Sequence, residues 1–145
     1  MPRIYISGGF LFLLAFYLLA LPTSWVIAMI TAASIHELGH CAALTISRLP
    51  ICSIEIGPLG ARIVTGAMTP KQELFCALAG PAVGLLVCLL FSLFPKTACF
   101  ALAQSLFNLL PFGPMDGGRA IRAAGQLAQQ KAVAKSPVCV YNDSD

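Results

Sequence analysis

Charge is what this sequence has least of. Only 10% of its 145 residues are Asp, Glu, Lys or Arg, against about 25% in an ordinary soluble domain. A chain of this size has too much surface for its volume to be covered by so few polar groups. Hydrophobic residues make up 58%, and the mean hydropathy is +0.84. Composition therefore excludes a soluble globule and points to a polytopic α-helical membrane protein. No basic stripe marks a nucleic-acid partner. Cysteine is present but unpatterned: Cys41, Cys52, Cys76, Cys88, Cys99 and Cys139 include no Cys-x-x-Cys. A disulfide framework or a cysteine-rich zinc site is not expected, and the thiols read as small apolar groups in helices. Internal repeats and low-complexity tracts are absent.

Histidine is scarcer still. The chain has two, His36 and His40, and both belong to one His-Glu-x-x-His motif with Glu37 between them. From Ile4 to Ser47 the only formally charged side chain is Glu37. On a helix His36 and His40 lie one turn apart on one face. Two imidazoles so placed can hold one Zn²⁺, and the Glu can act on its water. A carboxylate and two imidazoles inside a lipid-like run are costly, so they mark a functional site. The bland alternative is a buried His–Glu packing pair. Cys41 follows His40 directly, points about 100° away from it, and is a poor ligand candidate.

Taken in order, the chain predicts about four transmembrane helices. The first covers about residues 4–21, with Pro22 breaking it and Thr23 or Ser24 capping the next. The second runs from about Trp25 to Ile46, roughly 33 Å, enough to span. Residues 48–70 alternate polar and apolar around Gly57-Pro58-Leu59-Gly60. That suggests a short membrane-associated β-hairpin between helices two and three, whose free edge can accept an extended peptide. A plain connecting loop fits the same pattern. A third helix starts at Pro70 and runs to about Phe94, with Ala79-Gly80-Pro81 permitting close packing. A fourth apolar run, about Thr97 to Leu110, leads into Asn108–Arg119, whose two Pro and three Gly argue against regular helix. Such backbone at membrane depth must be buried in protein or line a wet cavity. A basic helix from about Arg119 to Ala134 and a disordered tail follow, so the domains are read as a membrane core, 1–120, and a cytoplasmic segment, 121–145.

Four spans put eight of the nine Lys and Arg residues on one side: Arg3, Arg48, Arg62, Lys71, Arg119, Arg122, Lys131 and Lys135. Only Lys96 faces the other. The positive-inside rule makes the first side cytoplasmic, so both termini and the histidines lie toward the cytoplasm. Asp116, at the cytoplasmic end of span four, reaches the same depth. Two histidines leave a catalytic zinc one protein ligand short. The other acids are less suitable: Asp143 and Asp145 sit in the tail, and Glu55 and Glu73 have Arg62 and Lys71 as candidate partners. Asp116 is the candidate third ligand, or an Asx-type turn residue.

At these residues the chain resembles the site-2 protease family of intramembrane zinc metalloproteases. His36-Glu37-x-x-His40 matches the family's first motif. Asn108-x-x-Pro111-x-x-Pro114-Met115-Asp116-Gly117-Gly118 matches the second, which carries the third metal ligand. With the hairpin region and Ala79-Gly80-Pro81, the likeness covers about residues 25–120. The family commonly carries Asn three residues after that proline, where Gly84 stands here. The resemblance implies Asp116 as the third ligand, Glu37 as catalytic base and Asn108 near the substrate backbone. It also implies Zn²⁺ as cofactor and regulated intramembrane proteolysis as the process. Expected partners are a membrane-protein substrate, the lipid bilayer of a bacterial cell membrane and a regulatory membrane partner. The chain looks most like a minimal version of the branch that processes sporulation sigma factors, or a truncated reading frame. The rival reading is a non-catalytic metal-binding or metal-transport membrane protein, which would not need Glu37 as a base. A second rival is an inactive relative that binds and shelters membrane segments.

Overall fold

The apolar runs fold as helices, and the charged stretch between the second and third folds as strands. The structure, a computed structural model, describes residues 3–58 and 60–135. The order is β1 (Arg3–Ile6), α1 (Gly8–Ala20), α2 (Thr23–Ile46), β2 (Ile51–Gly57), β3 (Gly60–Thr65), α3 (Pro70–Val87), a 3₁₀ turn (Cys88–Leu90), α4 (Pro95–Asn108) and α5 (Asp116–Lys135). Leu59 and the expected tail, with Cys139, Asp143 and Asp145, lie outside the described residues.

The hairpin of β2 and β3 is antiparallel, with Gly57 opposite Gly60 across its turn. The first expected helix is corrected at its start. Residues 4–6 leave it and, with Arg3, pair with β2 as a parallel strand, Arg3 opposite Ser53 and Ile6 opposite Ile56. Arg3-Ile4-Tyr5-Ile6 is rich in β-branched and aromatic residues, which suit a strand. Ser7 ends the strand by donating its N–H to Ile56 O at 3.0 Å. Its side chain then accepts from Phe10 N at 3.2 Å, capping α1. Because β2 is paired on both sides, the outer edge of β3 is left open among the described residues.

Helix lengths amend the expected membrane plan. Two helices are long and apolar enough to cross a membrane, Thr23–Ile46 and Pro70–Leu90. α1 has 13 residues and α4 has 14, about 20 Å each, short of a bilayer core of about 30 Å. β1 takes the residues that would have lengthened α1. α2 starts directly after Pro22 with no side-chain cap, so neither Thr23 nor Ser24 serves as one. α3 is closed at its start by a capping box between Thr69 and Gln72.

α2 is the axis of the fold, packing on both α3 and α4, while α3 packs on α5. Ala43, Leu44 and Cys76 are buried where α2 crosses α3, with Ile51, Ile63 and Met68 against them. The sheet is thus seated at the end of α2 that carries the motif. α5 begins at Asp116, three residues earlier than the basic helix expected, and docks through Gly117, Gly118, Ala120 and Ala123. Small residues allow that close approach; Ile121 and Val133 stay on the exposed side. Glu73 pairs with Arg119 of α5 at 3.8 Å, where the sequence suggested Lys71, and Glu55 does face Arg62, at 4.0 Å on the surface.

A candidate metal centre between three helices

His36 and His40 lie one turn apart on the buried face of α2, and Asp116 is the first residue of α5. The chain brings Asp116 against His36 and His40, 80 and 76 positions away, because Gly117 and Gly118 sit against the carbonyls of Leu109, Leu110 and Phe112. That contact folds the 109–115 connection back and aims the start of α5 at α2. All three side chains are buried, with 2%, 6% and 8% of their residue surface exposed.

Their polar atoms converge. His36 Nε2, His40 Nε2 and Asp116 Oδ2 form a triangle with every side 3.2 Å. A tetrahedral ion bonded at about 2.0–2.1 Å sets its ligand atoms about 3.3–3.4 Å apart. The triangle therefore has the size of one face of a zinc coordination sphere. The donor chemistry agrees. His40 Nδ1 donates to the backbone carbonyl of Cys76 at 2.8 Å, so a neutral His40 presents its Nε2 lone pair to the triangle. Asn108 Nδ2 lies 3.1 Å from His36 Nε2 and donates to it. Two lone pairs and a carboxylate facing one another in a buried place repel unless a positive charge sits among them. A proton can supply that charge. Burial pushes the Asp116 carboxyl up, but its contacts with His36 and His40, once an imidazole carries that proton, outweigh it and hold its pKa down to about 2. A divalent cation supplies the charge better, and His36, His40 and Asp116 fit Zn²⁺ by distance and donor type.

Two glycines set the room around the ring. A side chain at Gly80 of α3 would collide with His40 Nε2 and would stand 2.6 Å from Cε1 and 2.8 Å from Cδ2. The Nε2 corner of the imidazole sits against a residue with no Cβ. At Gly84, one turn further along α3, a Cβ would collide with Ser105 Oγ of α4. That accounts for the glycine where the family commonly has Asn: the hydroxyl of Ser105 already occupies the space. Ser105 is fully buried, and its Oγ has no hydrogen-bond partner among the described residues; His36 Nδ1 is the other such atom.

Glu37 is half-buried beside the triangle, near enough to feel the charges of His40, His36 and Asp116, and its carboxylate accepts from the backbone N–H of Ala61 on β3. Every residue singled out in the two motifs is thus in one region: His36, His40 and Asp116 in the triangle, Asn108 against it, and Glu37 beside it. Cys41 is half-buried next to His40 and is not one of the converging groups. Cys41, Cys52, Cys76, Cys88 and Cys99 are free among the described residues. Sequence reasoning missed the Cys76 carbonyl, the seat at Gly80, and Ala61. The one available signal was Ala79-Gly80-Pro81, within the small-residue stretch of α3.

The comparisons with known proteins agree with this geometry. No protein-family model matches the chain. It is 32% identical over 123 residues to "Putative zinc metalloprotease sll0528" of Synechocystis, a match covering 70% of this chain and 32% of that protein. It is 32% identical over 107 residues to "Putative zinc metalloprotease Rip3" of Mycobacterium tuberculosis, covering 61% of this chain and 27% of that one. The chain thus spans about a third of the length of the curated relatives it matches. Its fold is shared with a site-2 protease from Methanocaldococcus jannaschii, with a TM-score of 0.72 and 23% identity over 86% of this chain and 67% of that one. With both motifs folded into one buried cluster, the chain is similar to proteins named putative zinc metalloproteases and shares the fold of a site-2 protease.

Proposed function

We propose that this chain is a zinc-dependent intramembrane endopeptidase, hydrolysing a peptide bond in or next to a membrane-embedded segment of a substrate protein. The observation that carries the reading is the 3.2 Å convergence of His36, His40 and Asp116 with Glu37 on the same turn of α2. A lone metal-storage site has no use for that fourth group. Zn²⁺ held there supplies Lewis acidity, polarising a carbonyl oxygen and lowering the pKa of water to about 7.

The chain's own residues do the rest. Glu37 takes a proton from the attacking water and passes it to the leaving amine nitrogen. The Ala61 N–H orients the Glu37 carboxylate. A helical substrate segment hides its carbonyls in its own hydrogen bonds, so it must unwind before cleavage. The open edge of β3, which carries Ala61, can take the unwound segment as an added strand and so deliver it beside Glu37. Asn108, whose amide already reaches the triangle, is placed to donate to the substrate backbone. α2 and α3, long and apolar enough to cross a membrane, support a centre at bilayer depth. A bacterial cell membrane with the site toward the cytoplasm is the location proposed, and the orientation rests on the four-span reading of the sequence, which puts eight of the nine Lys and Arg on one side. A membrane-protein substrate and a regulatory membrane partner follow from the same reading.

The test is cleavage of a reporter membrane substrate by purified protein in detergent, wild type beside Glu37→Gln, with metal content measured on both. Glu37→Gln is expected to keep its metal and to lose at least about 100-fold in rate, the scale of a positioned proton-transfer group. Equal cleavage by the two proteins would overturn the assignment. Bound metal with no cleavage by wild type across several substrates would favour the metal-binding or transport reading.

A further inference from the structure

Asp116 has two carboxylate oxygens, and only one faces the histidines. Oδ2 belongs to the triangle, while Oδ1 lies 3.4 Å from Arg119 Nη1, one turn along α5. Arg119 is held in turn from another helix: its Nε lies 3.8 Å from Glu73 Oε1, in the first turn of α3. Both members of the Arg119–Glu73 pair are mostly shielded, at 27% and 29% side-chain exposure. A carboxylate left to rotate can offer a cation one oxygen or both, whereas a hydrolytic zinc keeps three protein ligands and an open position. Occupying Oδ1 restricts Asp116 to one.

We infer that Arg119 and Glu73 are positioning residues for the metal centre, Arg119 engaging Asp116 Oδ1 so that the carboxylate binds the metal through Oδ2 alone, and Glu73 fixing the guanidinium. The inference rests on Asp116 as a metal ligand, as in the reading above. Outer partners of this kind orient the ligand and set its basicity, and their loss commonly lowers metal affinity about 10–100-fold. Arg119 suits the task better than Lys because its guanidinium is planar and bridges two carboxylates from separate nitrogens. The bridge also ties the start of α5 to the start of α3, so the depth at which Asp116 enters the triangle is set from two helices.

The experiment is Co²⁺ titration of the metal-stripped full chain in detergent, followed by visible absorption, with Zn²⁺ competition for affinity. Arg119→Gln is expected to bind about 10–100-fold more weakly, with weaker Co²⁺ bands as a second carboxylate oxygen raises the coordination number. Arg119→Lys should restore less of the band intensity than of the affinity. Glu73→Gln, a more peripheral change, should shift both readouts the same way by less, and the double variant should be no worse than Arg119→Gln. Wild-type affinity and spectrum in Arg119→Gln would overturn the inference. So would a Glu73→Gln protein indistinguishable from wild type, which also keeps the test decisive if Arg119→Gln fails to fold. Asp116→Asn separates the two levels: wild-type Co²⁺ binding there refutes Asp116 as a ligand, whereas its loss beside an unaffected Arg119→Gln refutes the positioning role alone.

Discussion

Gly80→Ala offers the sharpest test of how the centre is built. The added methyl would collide with His40 Nε2 and stand 2.6 Å from Cε1. Comfortable contacts to carbon are about 3.5–4.0 Å, so the ring must retreat by about 1 Å. It cannot do so freely, because Nδ1 is bonded to the Cys76 carbonyl at 2.8 Å. Overpacking of this kind costs about 1–3 kcal/mol of stability. The centre suffers more, since ligand positions tolerate about 0.5 Å and an error of 1 Å can cost about 100-fold in rate. Gly80→Ala should therefore fold while binding Zn²⁺ at least about tenfold more weakly and cleaving about 100-fold more slowly. Gly39→Ala is the control. Its methyl would stand 2.8 Å from the Ala79 carbonyl and 3.0 Å from Gly80 Cα, striking backbone and not the ring. It should lower the melting temperature at least as much while weakening metal binding less. Competition titration and thermal melts in one detergent read both quantities. Wild-type zinc affinity in a folded Gly80→Ala protein would refute the reasoning.

Three further outcomes follow from particular contacts. Cys76→Ala should leave zinc affinity within about threefold of wild type, because His40 is held by the backbone carbonyl and not by the thiol; a competition titration reads it. Gly84→Ala alone should destabilise by about 1–3 kcal/mol. In a Ser105→Ala background the nearest atoms to the new methyl would be Ala101 O at 3.4 Å and Ser105 Cβ at 3.6 Å. The change should then be tolerated, and a double-mutant cycle of unfolding should show coupling of about 1–3 kcal/mol. Asp116 gives the pH dependence. Its carboxyl titrates at about 2 in the fold against an ordinary 3.8. The metal-free protein therefore holds this stabilisation above about pH 4 and loses it as pH falls toward 2. Asp116→Asn should flatten that part of the stability–pH curve, measured by melts on stripped protein.

How far the sequence reached can be seen residue by residue. His36, Glu37 and His40 were legible because their relation is local: one helical turn sets it, and an apolar run makes any polar group in it conspicuous. The hairpin was only half legible: its alternation and its Gly-Pro turn are local as well, but a plain connecting loop fitted them equally. β1 was not, since Ile4-Tyr5-Ile6 read equally well as the start of the first helix. What settled them was a parallel partner some fifty positions away, in β2. Asp116 was a candidate among several by residue physics, and the second motif raised it; the 3.2 Å triangle depends on how α5 docks on α3, which no local pattern encodes. The supports lay further out of reach. A backbone carbonyl at Cys76 has no side-chain signature. The seat at Gly80 is defined by a ring on another helix, and Arg119 and Glu73 are 46 positions apart. By itself the sequence determined the chemistry, because donor type and helical period are properties of the residues. Only the tertiary structure decided the geometry, because distances between helices follow from which side chains are small enough to let them meet.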